Sequence, residues 1–129
     1  MSISLRSVKN AKDPDDEFVW LRATANTSLE GYAIVDRTFD DSEEVSNEFR
    51  HIFFFPDLEV EKDDWIVLCT GNSKGKDKKK YKKLIKDDSV FHSFFWGSKE
   101  CVWNDNGDDS ASLIKYSSIK SVRVPAVEK

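Results

Sequence analysis

Residues 64–70 read DWIVLCT and residues 90–96 read VFHSFFW, and these two stretches decide the fold class. In the first, tryptophan, valine and cysteine alternate with isoleucine and leucine; in the second, valine and aromatic residues dominate. A period of two places successive side chains on opposite faces of a β-strand, and β-branched and aromatic residues are enriched in strands. Both stretches are therefore predicted to be strands with apolar side chains on both faces.

The same pattern recurs along the chain, broken by turn residues such as the Asn106-Gly107 pair. Many short strands separated by turns, with no long helical period, are typical of a β-sandwich or barrel. No internal repeat or linker interrupts residues 1–129, so a single domain is predicted. About nine strands are expected; besides the two above they are ISL near the start and residues 17–25, 29–36, 49–55, 100–103, 110–116 and 118–124.

The composition is that of a folded domain. The chain has 129 residues, of which 39% are hydrophobic, and it carries nine Phe, four Trp and three Tyr. A chain of this size buries about two-thirds of its surface on folding, which is enough for a core without metal or disulfide support. The start, MSISLRSVKN, lacks the apolar segment of a signal peptide, and no stretch approaches the ~18 apolar residues of a membrane span. We therefore predict a cytoplasmic protein, or a nuclear one in a eukaryotic source, with no signal peptide and no membrane partner.

Charge is distributed unevenly along the chain. The net charge is −4, but residues 74–86 hold eight lysines and one aspartate, which leaves −11 on the remainder. A basic segment on an acidic body can bind polyanions locally. One alternative is that the segment is simply a solvated loop. Another is that its charges keep the neighbouring aggregation-prone strand from associating with other chains. Tyr81, Leu84 and Ile85 fall on a narrow helical stripe, so this Lys-rich insertion is expected to be a loop or a short helix. The nucleic-acid hypothesis assigns phosphate contacts to the lysines and base stacking to a tyrosine; its residues are Lys74, Lys76, Lys78, Lys79, Lys80, Tyr81, Lys82, Lys83 and Lys86.

Residues that could carry catalysis are few. Cys69 and Cys101 are predicted to be free, buried thiols, with a single bridge as the alternative. His51 and His92 lie in apolar strands, where a half-buried structural role is expected. A set such as His92, Cys101 and Asp108 can be assembled, but no spacing favours it and no nucleophile or phosphate-loop motif is present. We predict no enzyme activity, no cofactor and no metal site.

Four segments, in order, resemble those of a known family. The chain is similar to lamin-tail domains of the free-standing bacterial type over about residues 3–116. This resemblance implies an immunoglobulin-like β-sandwich that serves as a platform for proteins and, in some cases, nucleic acid. The segments are EFVWL (17–21), SLEGYAIVD (28–36), FFFPDLEVEKDDWIVLCTG (53–71) and VWNDNGDDSASL (102–113).

The last of these segments also has a physical explanation of its own. Trp103 is expected to anchor the end of a strand in the core. Asn104 and Asp105 suit a turn because their side chains bond nearby backbone N–H groups, Gly107 tolerates a positive φ, and Asp108 accepts from the turn. A calcium loop is the alternative, but the Asp-x-Asp-x-Asp-Gly order and the terminal Glu are missing. A structural turn is predicted.

The predicted function is that of a non-catalytic interaction module of the lamin-tail type with a protein partner. Nucleic-acid binding through residues 74–86 is the first alternative. An acidic inhibitor or immunity-type protein that captures a basic partner is the second. A small-molecule ligand is not indicated.

Overall fold

The computed structural model describes residues 1–39, 45–73, 79–103 and 109–127. A turn of 3-10 helix at Pro14–Asp16 precedes the second strand. The strands in the described ranges are β1 (Ile3–Lys9), β2 (Phe18–Ala23), β3 (Thr27–Ser28), β4 (Tyr32–Phe39), β5 (Val45–Phe54), β6 (Glu59–Val60), β7 (Trp65–Cys69), β8 (Tyr81–Lys86), β9 (Ser89–Phe95) and β10 (Asp109–Lys115).

These strands form two larger sheets and one small pair. The first sheet has five strands in the order β1-β2-β7-β9-β8, and the second has three in the order β10-β4-β5. All pairings in the two sheets are antiparallel except that of β7 with β9, which is parallel. Strands β3 and β6 pair with each other. The predicted all-β sandwich is confirmed; of the three strands that were not predicted, β3 and β6 have only two residues each, too few for a pattern, and β8 lies in the lysine-rich segment.

The core lies between the two larger sheets. Alternate residues of β2, Val19 and Leu21, are fully buried, as are Ile66 and Leu68 of β7. Across the interface the ring of Phe53 in the three-stranded sheet lies 6.3 Å from that of Phe94, centroid to centroid. Burial of alternate residues is the physical reason that the period-two pattern in the sequence predicts these strands correctly.

A buried carboxylate ties the segment after β9 to the start of β2. Oε1 of Glu17 accepts hydrogen bonds from the Thr70 hydroxyl at 2.7 Å and from the backbone N–H groups of Val102 and Trp103 at 2.9 and 3.3 Å. Trp103 is buried in the core, as predicted. The surrounding residues 100–103 are irregular, however, so the predicted strand there is wrong. Asn104, Asp105, Gly107 and Asp108 lie outside the described residues.

The lysine-rich segment is the main departure from expectation. Residues Tyr81–Lys86 form strand β8, so the expectation of a helix or loop is wrong for them. The turn to β9 consists of Asp87 and Asp88, both with positive φ (52° and 64°), as a two-residue hairpin requires. Tyr81 packs its ring 5.1 Å from that of Phe94. Hairpin pairing and this contact outweigh local helical propensity, which is a weak determinant.

The C-terminal segment is the other departure. Residues 118–127 are irregular and exposed, so the strand predicted over 118–124 is wrong. Val122 and Val124 are 91% and 84% exposed. Their β-propensity does not produce a strand because a strand is stabilised by pairing and by burial of one face, and neither is provided here.

Candidate binding face

The five-stranded sheet carries five aromatic residues on the surface that points away from the core. In β2 the residues that alternate with the buried Val19 and Leu21 point outward. The registers of β2 with β7 and of β7 with β9 place the outward residues of those two strands next to them. All five aromatic side chains are half-buried. We call this surface the aromatic face; its rings are those of Phe18, Trp20, Trp65, Phe91 and Phe95.

The rings of the aromatic face support one another. Trp20 lies edge-to-face with Trp65 at 6.0 Å and 87°, and with Phe91 at 6.4 Å and 82°. Such pairs contribute about 0.5–1.5 kcal/mol each beyond area burial. The rings of Trp20, Trp65 and Phe91 therefore hold one another in place before any partner arrives.

The same surface is basic. Strands β1, β2, β7, β8 and β9, which are described throughout, contain no Asp or Glu, although the chain has 24 of them. The cations that point outward with the rings are Lys9, Arg22, Lys82 and Lys86. The Arg22 guanidinium lies 4.8 Å from the Trp65 ring centroid, which is a cation–π contact. The acidic character of the protein is thus excluded from this sheet and confined to other parts of the chain.

Acidic residues border the face at three places, one of which is the Asp87-Asp88 turn after Lys86. Asp63, in the turn before β7, approaches Arg22 at 3.8 Å, and its side chain is 68% exposed. Asp15 accepts a hydrogen bond from the backbone N–H of Asn72 at 2.9 Å. Because the Asp63 pair is exposed, its strength is small and water or a partner competes for it.

One end of the aromatic face opens into a shallow cavity of about 360 Å³. Its rim includes two lysines, so a bound group would meet apolar walls and positive charge together. The lining residues are Asp15, Phe18, Cys69, Asn72, Ser73, Lys79, Lys82, Leu84, Ser93 and Phe95.

The Cys69 thiol beside the aromatic face is held in a less reactive form. Cys69 and Cys101 are both free, as predicted, and Cys69 is buried whereas Cys101 is half-buried. Burial raises the pKa of the Cys69 thiol, and nearby carboxylates including Asp15 raise it further, against a backbone hydrogen bond at Gly71 that lowers it. The thiolate is the nucleophilic form of cysteine, so Cys69 is held in its unreactive form.

The two histidines occupy different environments. His92 is buried; its Nε2 lies 2.8 Å from an oxygen of Asp64, and its Nδ1 lies 2.7 Å from the Tyr81 hydroxyl. Both ring nitrogens of His92 therefore have a hydrogen-bond partner. His51 is partly exposed, and its Nδ1 lies 3.2 Å from Asp36. The expected half-buried position is therefore wrong for His92, because hydrogen bonds with Asp64 and Tyr81 pair both ring nitrogens and allow the ring to be buried.

The hydroxyl of Tyr81 and its ring both contact His92. Burial raises the pKa of Tyr81, and the charge on Asp64 raises it further, so the hydroxyl remains protonated. Its ring stacks on His92 with a centroid distance of 6.0 Å on the core side of the sheet. Tyr81 therefore does not belong to the aromatic face, and its stacking on a base stays a prediction. In the set considered above, His92 bonds Tyr81 and Asp64 instead, while Cys101 donates to the carbonyl of Ala11 at 3.1 Å.

The predicted lysines divide into groups. Those of the described part are exposed: Lys79, Lys80, Lys82, Lys83 and Lys86. Two of them, Lys82 and Lys86, project on the side of the aromatic face. Lys74, Lys76 and Lys78 lie outside the described residues. The five aromatic residues were missed as a site because alternation shows that a strand has two faces, not which one is covered; the signal that points to them is the lack of acidic residues in these strands.

Neither a metal site nor a relative identifies the function. Among the residues that the structure describes, no group of three or more His, Cys, Asp or Glu could hold a metal ion. In the same residues no helix is long and apolar enough to span a membrane. Comparison with protein-family models finds no match, and comparison with curated proteins finds none. The resemblance to lamin-tail domains therefore stays a prediction, and function is argued from the aromatic face.

Proposed function

We propose that this chain is a non-catalytic interaction module that binds a macromolecular partner through the aromatic face. The observation that carries the proposal is the coincidence of five half-buried rings with a sheet that has no acidic residue in its strands. Large apolar patches on a folded domain mark interaction surfaces, and aromatic residues and arginine are enriched where partners bind. The resemblance to lamin-tail domains, which implies binding without catalysis, agrees with this proposal.

The geometry gives less support to the other functions considered. An enzyme needs a nucleophile, a base and a stabilising group that converge on one cleft. The buried histidine, His92, bonds groups on the core side of the sheet, and the cavity beside the aromatic face has no histidine in its lining and a protonated thiol at Cys69. Capture of a basic protein would have to avoid the aromatic face, because Lys9, Arg22, Lys82 and Lys86 would repel it. An acidic or polyanionic partner suits the face better.

The test is a nuclear magnetic resonance titration with three probes: a single-stranded oligonucleotide, an acidic peptide that contains aromatic residues, and a basic peptide. We expect at least one anionic probe to shift amide resonances of β2, β7 and β9, and the basic probe to leave them unchanged. The variant Trp20→Thr/Phe91→Thr removes two rings and should abolish these shifts. Its matched control is Ile52→Thr/Phe54→Thr, because these side chains are exposed apolar residues on the three-stranded sheet.

The proposal is overturned if neither anionic probe shifts the amides of the aromatic face, or if the shifts lie elsewhere. It is also overturned if the Trp20→Thr/Phe91→Thr variant, folded by its own spectrum, binds like the parent. Binding lost equally in the Ile52→Thr/Phe54→Thr control would likewise contradict it, because those side chains lie on the other sheet.

A further inference from the structure

We infer that the aromatic face binds single-stranded nucleic acid, with bases stacked on its rings and phosphates held by the cations of β1, β2 and β8. This inference rests on the proposed function and assigns its partner class. It differs from the sequence hypothesis in its residues, since the stacking groups are those of the aromatic face and not Tyr81, which packs toward the core.

The first argument is the number and placement of the rings. Stacking of a base on an aromatic side chain contributes to the free energy of binding whatever the base. Sheet surfaces that carry two or three such rings are sufficient for recognition of a single strand. Here the rings occupy three adjacent strands, β2, β7 and β9, and the ring centroids of Trp65 and Phe91 lie 6.0 and 6.4 Å from that of Trp20. Five strands spaced about 4.8 Å apart give a surface about 19 Å wide, room for several nucleotides.

The second argument is the separation of charge. The five strands of this sheet hold six Lys or Arg residues and no Asp or Glu, in a chain whose net charge is −4. A phosphate backbone is therefore attracted to this sheet and repelled by the acidic remainder of the protein. Lys82 and Lys86 stand on the outermost strand and Lys9 on the opposite edge strand, so cations lie on both sides of the rings.

The third argument excludes a duplex and disfavours a protein partner. Bases of a duplex are stacked within the helix and do not expose their faces to a protein surface, and a major groove admits a helix or a two-stranded ribbon rather than a five-stranded sheet. An acidic protein would satisfy the cations, and aromatic residues are enriched at protein interfaces as well; it is the placement of cations at both edges of the rings that favours an extended phosphate backbone over a folded acidic protein. Single-stranded nucleic acid contacts the cations through its phosphates and the rings through its bases.

The experiment measures binding of a labelled 12-nucleotide single-stranded DNA by fluorescence anisotropy, with the hybridised duplex as a second ligand. We expect the single strand to bind at ~50 mM salt, to weaken steeply toward ~200 mM salt, and to bind at least about 10-fold more tightly than the duplex. The variant Trp20→Thr/Phe91→Thr should weaken binding by about 10-fold or more, as loss of stacking does.

The charge arm uses a matched pair of variants. Lys82→Gln/Lys86→Gln should weaken binding and make its dependence on salt shallower, because two phosphate contacts are lost. Lys120→Gln/Arg123→Gln removes the same charge from the exposed C-terminal segment and should leave binding unchanged. Thermal unfolding of each variant confirms that it is folded.

Three outcomes would overturn the inference. If no DNA binds at ~50 mM salt while the acidic aromatic peptide shifts the amides of the aromatic face, the partner is a protein and the proposed function stands. If DNA binds but the ring variant binds equally well, stacking is excluded and the contact is purely electrostatic. If neither DNA nor the acidic peptide reaches the aromatic face, the inference and the proposed function both fail.

Discussion

The two sides of the five-stranded sheet differ in what covers them, although both are rich in aromatic and aliphatic residues. On β9, Phe94 points inward and is 2% exposed, while its neighbours Phe91 and Phe95 point outward and are half-buried. The inner side is closed by the three-stranded sheet, whereas among the described residues no second sheet covers the outer side, and the turn at Pro14–Asp16 contacts only its Cys69 end. The inner side therefore provides the stability of the fold, and the outer side is free to serve binding.

The comparison is tested most strongly by removing one ring from each side. Phe94→Ala should lower the free energy of unfolding by about 3–5 kcal/mol, because it leaves a cavity in the core. Phe91→Ala, on the same strand, should cost only about 1–2 kcal/mol, from partial burial and one edge-to-face contact. Urea unfolding of both variants measures the difference. Equal losses would mean that the outer side is as important to stability as the core.

The next largest effect concerns the buried polar groups of the inner side. Tyr81→Phe leaves Nδ1 of His92 buried without its 2.7 Å partner, and we expect a loss of about 1–3 kcal/mol. Tyr116→Phe is the control, since Tyr116 is half-buried and packs against the exposed Phe54; it should change stability by less than about 0.5 kcal/mol. Chemical denaturation compares the two, and a Tyr81→Phe variant as stable as the control would contradict this assignment.

Alkaline pH probes both sides at once. The folded state raises the pKa of Cys69, on the outer side, and of Tyr81, on the inner side, so it holds these protons more tightly than the unfolded chain. The contribution of these two groups to stability should be constant below about pH 8 and be lost as pH rises, because thiols and phenols of the unfolded chain ionise near about 8.5 and 10. In Cys69→Ala the decline should begin closer to pH 10. Denaturation between pH 7 and 10 checks the sign; a rise in stability would refute it.

The smallest expected effect on stability is that of the lysines beside the aromatic face. Lys82→Gln/Lys86→Gln should shift the free energy of unfolding by no more than about 0.5 kcal/mol, since both side chains are exposed. The same variant is expected to weaken the binding of anionic partners. Calorimetric unfolding checks the first point, and a destabilisation above about 2 kcal/mol would show that these lysines support β8 itself.

Sequence reasoning succeeded where one face of a strand is closed. Strands β2 and β7 were predicted because burial of alternate residues such as Val19 and Leu68 imposes a readable period. It failed for β8 because that strand lies at an edge, where the side chains need not be apolar and the pairing with β9 decides the structure. Edge strands often carry lysine, which discourages pairing with other chains. A run of lysines is thus compatible with a strand, and charge repulsion alone did not exclude one.

The candidate site was harder to predict than the fold. The rings of Trp20 and Trp65 were visible in the sequence, but an outward aromatic residue and an inward one produce the same alternation. Which side a second sheet covers is a property of the whole arrangement, set by contacts such as that of Phe53 with Phe94. The lysines were noticed as a segment, whereas their relation to the rings depends on a register between β8 and β9 that no local pattern records.

The central position of β7 has a consequence for folding kinetics. The hairpin of β8 and β9 is closed by a two-residue turn and is the kind of unit that forms in about 1–10 μs. Strand β7 must instead pair with β2 on one side and, in parallel, with β9 on the other, joining residues as distant as Trp65 and Phe91. Such non-local pairing is slow, typically milliseconds to seconds. During synthesis the aromatic face is therefore complete only after β9 has left the ribosome.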